Sequence, residues 1–190
     1  MVEAADVTAV ILAGGRATRH GGATKPLLEV EGTTILARLE AALAGEVADV
    51  WVSVAAPVAW TSRRQVVDAV AGAGPLAGVA AALAACPTPW LLVIGGDMPY
   101  VAPALLAALR AHARDDLDAV APRVGGHPEP LLALYGRACA PVAAARLSTG
   151  RGRVAGVLDD VRVAWLDEPA LRPHDPTLRS FVSINGPGAR

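Results

Sequence analysis

Apolar positions along the chain follow two alternating periods. Short, nearly continuous runs of Val, Ile and Leu at Val7–Leu12, Val50–Val54 and Trp90–Ile94 have the length and composition of buried strands. Between them, Ile35, Leu36, Leu39 and Leu43 recur at helical spacing behind Thr33 and Thr34, either of which can cap the helix, and Gly45 ends it. Pro75 opens an alanine-rich helix to about Ala85, and Pro103 opens another through Leu105, Leu106 and Leu109, with Arg110 and Arg114 facing outward. Leu27–Val30 reads as a short extended piece, and Val66–Asp68 as a short strand ending in an acid. Beyond residue 113 the pattern predicts strands at Ala119–Pro122, Leu131–Tyr135 and Val161–Trp165, and helices at 138–147 and near Val154–Leu158. An irregular loop at Pro169–Pro176 and a closing strand at Phe181–Asn185 complete it. Strands alternating with helices predict an α/β fold, Rossmann-like and doubly wound, with a mostly parallel sheet and helices on both faces.

In such a sheet, ligands bind at the carboxyl ends of the strands. The polar and glycine-rich segments fall there. After the first strand come Leu12, Ala13, Gly14 and Gly15, then Arg19, His20 and Lys25; glycines let backbone N–H groups approach an anion, and the cations supply charge for phosphates. The loop is not a P-loop, since Lys25 precedes Pro26 rather than Ser or Thr, and it lacks the G-x-G-x-x-G spacing of a dinucleotide site. Asp68 ends the third strand. Gly74, Pro75, Leu76 and Gly78 form a second loop leading into a helix N-terminus. Asp97 follows Gly95-Gly96, where one carboxylate suffices to hold Mg²⁺ against phosphate oxygens; the plainer alternative is a turn Asp capping the Pro103 helix. His127, between Gly126 and Pro128, is either a plain turn residue or part of an acceptor pocket; His112 and His174 are expected to be exposed.

Composition narrows the function classes. A length of 190 residues suits one domain, 1–190, and 53% hydrophobic content supplies a core. A net charge of −1 and 4% aromatic residues provide neither a basic field nor stacking platforms, which argues against nucleic acid. Cys86 and Cys139 form no metal or disulfide spacing, and no signal peptide is visible, so a cytoplasmic setting is expected. The uncharged stretch 69–96 is broken by Gly and Pro and is read as core rather than a membrane span. Lys25 is the sole lysine in a chain that otherwise uses arginine, which points to a compact ammonium being needed there.

In order and spacing, L-A-G-G at Leu12–Gly15 with Lys25, G-P-L-A-G at Gly74–Gly78 and D-M-P-Y at Asp97–Tyr100 resemble the motifs of the MobA-type nucleotidyltransferases, the molybdenum cofactor guanylyltransferases. The resemblance continues through Pro130, the Gly150–Arg153 loop and the Phe-Val-x-Ile-Asn segment, and so covers essentially the whole chain. It implies a nucleotide-diphospho-sugar transferase-like fold that transfers GMP from GTP to molybdopterin with release of pyrophosphate. Leu12, Ala13, Gly14, Gly15 and the Gly74–Gly78 loop would hold the base, and L-A-G-G in this family goes with guanine. Asp68 would contact the nucleoside, Asp97 would ligate Mg²⁺, and Lys25 and Arg19 would serve the phosphates. Arg153 and Asn185 match positions on the acceptor side or near the phosphates. GTP, molybdopterin, cofactor-assembly proteins and apo-molybdoenzymes are the partners implied. The sequence departs from the pattern at Ser53, where the family often has an asparagine near the nucleotide, at Ser183, which replaces one of a pair of asparagines, and at His20 and Thr24. A CTP-using sister enzyme, a different phosphorylated acceptor and a non-catalytic GTP-binding protein remain open alternatives.

Overall fold

The computed structural model describes residues 2–13, 24–68, 70 and 72–184. In chain order these form β1 (Val7–Leu12), β2 (Glu29–Val30), β3 (Thr33–Thr34), α1 (Ile35–Leu43), β4 (Asp49–Val54), β5 (Arg64–Val67), α2 (Pro75–Ala85), β6 (Trp90–Gly95) and α3 (Pro103–His112). There follow β7 (Ala119–Val124), β8 (His127–Pro128), β9 (Leu132–Gly136), α4 (Cys139–Ser148), α5 (Ala155–Asp159), β10 (Val163–Asp167) and α6 (Glu168–Leu171). The main sheet runs β10-β7-β9-β6-β1-β4-β5, with β8 added on β7. Pairing is parallel throughout except where β9 enters between β6 and β7, and where β8 folds back on β7. The Gly125-Gly126 turn is too short for a crossover helix, so the chain returns antiparallel.

Each central strand feeds both faces of the sheet. Val7, Ala9 and Ile11 of β1 pack with Leu36, Leu39, Leu105 and Leu109 from α1 and α3, whereas Val10 and Leu12 pack with Leu76, Val79 and Ala143 from α2 and α4. The continuous apolar runs therefore reflect double-sided burial. Thr34 caps α1, its Oγ accepting from Ala37 N at 3.2 Å, and Gly45 lies past the helix end at φ +77°.

Several local expectations change. Lys25–Leu27 is a 3₁₀ turn built on buried Pro26, so the extended piece shrinks to β2. Arg110 does not point into solvent; its guanidinium is mostly buried and donates to the carbonyl of Glu46 at 2.6 Å and to the Glu46 carboxylate. The Pro169–Pro176 loop begins within α6, with Pro169 in the first turn and Leu171 buried, and His174 is half-buried. β10 starts at Val163, because the Arg162 N–H donates to the Asp118 carboxylate at 2.9 Å instead of joining the ladder. The closing strand fails over its described part, and Arg179–Phe181 is a 3₁₀ turn. The buried carboxylate of Asp175 takes the N–H groups of Arg179 and Ser180 at 3.2 and 2.8 Å, curling the chain immediately before and into the stretch expected to be extended. Among the described residues no helix is long and apolar enough to cross a membrane.

Candidate active site

The parallel strands bring the carboxyl ends of β5, β4, β1 and β6 to one edge, where backbone bonds lace them in sequence. Asp68 N donates to Val54 O at 3.0 Å, Ala13 N to Ser53 O at 2.9 Å, Gly96 N to Leu12 O at 3.1 Å and Gly95 N to Leu131 O at 2.8 Å. The polar residues singled out in the sequence sit on or beside these bonds.

One centre is an ion pair. Lys25 Nζ lies 2.8 Å from Asp97 Oδ2, with the side chains 41% and 17% exposed, so both charges remain in reach of a ligand. The approach is set by Gly96: a Cβ there would fall 2.5 Å from Leu12 O and 2.9 Å from Pro26 Cγ. Only glycine lets the β6 turn meet the end of β1, and Pro26, seated against it, begins at the residue after Lys25. Asp97 does not cap α3, whose N-cap is Ala102 with no side-chain bond. Its backbone carbonyl instead accepts from Ile184 N at 2.7 Å, which brings the carboxyl-terminal segment to the site.

The second centre surrounds Asp68. Half-buried at the end of β5, it accepts a hydrogen bond from Ser53 Oγ at 2.9 Å. Burial pushes its carboxyl above the usual carboxylate range, and the serine hydrogen bond works the other way. Gly74 precedes α2 at φ +77°, a backbone region that favours glycine, and Pro75 takes the first helical position. Leu76 is fully buried, and Gly78 packs directly on Ser53 and Asp68.

Arg153, expected on the acceptor side or near the phosphates, borders a cleft of about 530 Å³ together with Pro128, Arg146, Gly150, Arg151 and Gly152. Arg153 is exposed there. Gly152 lies against the lead-in to α2, since a Cβ on it would stand 3.0 Å from Ala73 O. His127 is exposed on β8, adjoining Pro128 of the cleft wall. Gly14, Gly15, Arg19, His20 and Asn185 lie outside the described residues. The structure thus unites Lys25 with Asp97, and Asp68 with Gly78, along one laced edge that includes Leu12 and Ala13. Ser53 was flagged in the sequence only as a departure from the family's asparagine near the nucleotide; its bond to Asp68 is what sequence reasoning missed. The signal was its place one position before the end of β4, in register with Val66 of β5, two residues from Asp68.

A metal was expected at Asp97. Among the described residues no group of three or more His, Cys, Asp or Glu could hold an ion. Among the described residues there is thus no closed protein cage, and a partly exposed carboxylate such as Asp97 suits magnesium, which keeps water and takes substrate phosphates as its other ligands.

A family model described as a MobA-like NTP transferase domain matches residues 9–163. A molybdenum cofactor guanylyltransferase of Desulfosudis oleivorans is 30% identical over 94% of this chain and 90% of its own. A probable molybdenum cofactor guanylyltransferase of Chloroflexus aggregans is 35% identical over 95% and 90%. Among solved structures, molybdopterin-guanine dinucleotide biosynthesis protein A from Archaeoglobus fulgidus superposes with a TM-score of 0.78 at 25% identity, covering 95% of this chain and 93% of that one. The 2-C-methyl-D-erythritol 4-phosphate cytidylyltransferase of Thermus thermophilus shares the fold, with a TM-score of 0.65 at 20% identity over 94% and 92%.

Proposed function

We infer the reaction from one premise: the chain belongs to the MobA-like NTP transferase family. We propose that it transfers GMP from GTP to molybdopterin. An oxygen of the acceptor's terminal phosphate attacks the α-phosphorus, a new P–O bond forms there, and the bond to the bridging oxygen breaks to release pyrophosphate. The acceptor is already anionic near neutral pH, so no general base is needed.

The observation that carries this reading is the 2.8 Å meeting of Lys25 with Asp97 at the carboxyl edge of a nucleotidyltransferase fold. The choice of guanine nucleotide and acceptor is supported by the names of relatives 30% and 35% identical over nearly the whole chain. Lys25 stabilises charge on the leaving phosphates electrostatically, and the Leu12–Ala13 backbone and the Gly74–Gly78 loop hold the base. Asp68 accepts hydrogen bonds from the nucleoside. Asp97 holds Mg²⁺, which when bound offsets charge on the phosphate oxygens. Arg153 and His127 face the acceptor, with Arg19 at the phosphates and Asn185 beyond Ile184 completing the two sides.

Pyrophosphate release from purified protein, magnesium, molybdopterin and either GTP or CTP tests the proposal. Release that requires both GTP and the acceptor is expected. Equal or faster release with CTP, or none with either nucleotide, overturns it.

A further inference from the structure

Ser53 ties three parts of this edge together. It is 1% exposed. Its Oγ donates to Asp68 Oδ1 at 2.9 Å, while its carbonyl accepts from Ala13 N at 2.9 Å, at the entrance to the first glycine loop. The third contact is with α2. A Cβ at position 78 would lie 2.2 Å from Ser53 Oγ, 3.1 Å from Ser53 Cβ and 3.0 Å from Asp68 Oδ1. Glycine within a helix is unfavourable by about 1 kcal/mol relative to alanine, and here the lost propensity opens the space that the hydroxyl and carboxylate share.

A serine that merely filled this position would be served by alanine. Instead the fully buried hydroxyl holds one oxygen of a half-exposed carboxylate from the protein side. A carboxylate offered to a nucleoside must be ionised and correctly aimed. Burial opposes the first requirement and the serine hydrogen bond supports both. The charged residues of the strands packed there, Asp49 and Arg64, stand at the starting ends of β4 and β5, with Arg64 stacked over Trp51, and α2 carries no charged side chain.

We infer that Ser53 is a positioning residue for nucleotide recognition: its buried hydroxyl aims the Asp68 carboxylate, and Gly78 leaves the room for it to do so. This rests on the reading that Asp68 accepts hydrogen bonds from the nucleoside, and the test separates the two.

GTP affinity of the full chain is measured by calorimetry from about pH 5 to about pH 8 for the wild type, Ser53→Ala, Ser53→Cys and Asp68→Asn, spanning the ordinary range of carboxylates and above. Ser53→Ala weakens binding about tenfold, the usual size for a hydrogen bond to a charged group. Turnover at saturating GTP stays within about twofold, because the Lys25–Asp97 pair is untouched, and the acid-side loss of affinity moves to higher pH. Asp68→Asn weakens binding and flattens that acid limb. If Ser53→Ala lowers the melting temperature, Ser53→Cys replaces it: the thiol occupies the same place and donates weakly, so affinity falls in the same direction by less. Normal binding by Asp68→Asn overturns the nucleoside reading and the inference with it. Weak binding by Asp68→Asn, with wild-type affinity and an unmoved acid limb in both serine variants, overturns the inference alone.

Discussion

Replacing Asp97 with asparagine separates what the Lys25–Asp97 pair does for the fold from what it does for the reaction. Asparagine has the same shape, so packing against Gly95, where Asp97 Oδ1 sits 3.0 Å from the position a Cβ would take, is retained. The lost quantity is one ion pair whose members are 41% and 17% exposed. A pair whose lysine is this open to water contributes about 0–1 kcal/mol, because solvent screens the attraction and two side chains must be held still. For a chain of this length that corresponds to a fall in melting temperature of at most roughly 2–4 °C. The Lys25 side chain, 41% exposed, remains accessible to water, so no stranded buried charge adds to the cost. Turnover responds on a different scale. If Asp97 holds a divalent ion as proposed, loss of its carboxylate should lower the rate of pyrophosphate release at least about a hundredfold, in line with losing a group aimed at transition-state charge. Thermal melting and pyrophosphate release on the same preparation give both numbers. A variant turning over within a few-fold of wild type would falsify the metal-holding role of Asp97, and one melting more than about 10 °C low would show that the pair is chiefly structural.

Two further changes test the frame around the site. Gly96→Ala places a Cβ 2.5 Å from Leu12 O, a backbone atom that cannot swing away, so the ends of β1 and β6 must part; urea unfolding should show a loss of about 1–3 kcal/mol, and an unchanged midpoint would refute the close approach. Asp118→Asn tests the far end of the sheet. The Arg162 side chain and backbone N–H, all at 2.9 Å, hold the Asp118 carboxyl at about 2, below its ordinary 3.8. A depressed carboxyl stabilises the fold fully above its ordinary value and loses that contribution as pH falls through about 2. Since the Arg162 side chain is 64% exposed, the variant should lose only about 1 kcal/mol at pH 7 after allowance for screening; the gap to wild type in denaturant titrations should close near pH 2, and a gap independent of pH would contradict it.

The layered core was legible because double-sided burial writes itself as unbroken apolar runs: Val7–Leu12 and Trp90–Gly95 are buried at every position. The candidate site was legible for a related reason. A sheet whose crossovers are helices collects every strand-end loop at one edge, so Lys25, Asp68, Gly78 and Asp97 could be grouped without knowing a single contact. What the pattern missed were outcomes of competition for backbone donors. Alternation at Phe181–Ile184 gives no sign that Asp175 captures the N–H groups of Arg179 and Ser180, and the span Val161–Trp165 gives none that Asp118 captures that of Arg162. Arg110 was misplaced because spacing assigns a helix face, but not a distant carbonyl such as Glu46 O. The partner of Ser53 escaped for the same reason: the resemblance marked the position, but a small polar residue near the end of an apolar strand names no partner until the neighbouring strand's register puts an acid beside it.

The two polar centres are supported differently, and the difference follows from where each cation or hydroxyl resides. Asp68 is fixed by a donor on β4, 1% exposed, in a space that only a glycine leaves open, so that end of the strand edge is preorganised before any ligand arrives. Asp97 is met by a long, flexible lysine from a short 3₁₀ turn, 41% exposed and screened by solvent, so that end holds its charges together loosely. Selecting one base among similar rings requires fixed hydrogen-bonding groups. Passing a charged leaving group requires side chains that re-pair as charge moves. Under the proposed reaction, a rigid carboxylate beside α2 and a partly exposed ammonium–carboxylate pair beyond β1 would meet those two demands at opposite ends of one row of backbone hydrogen bonds.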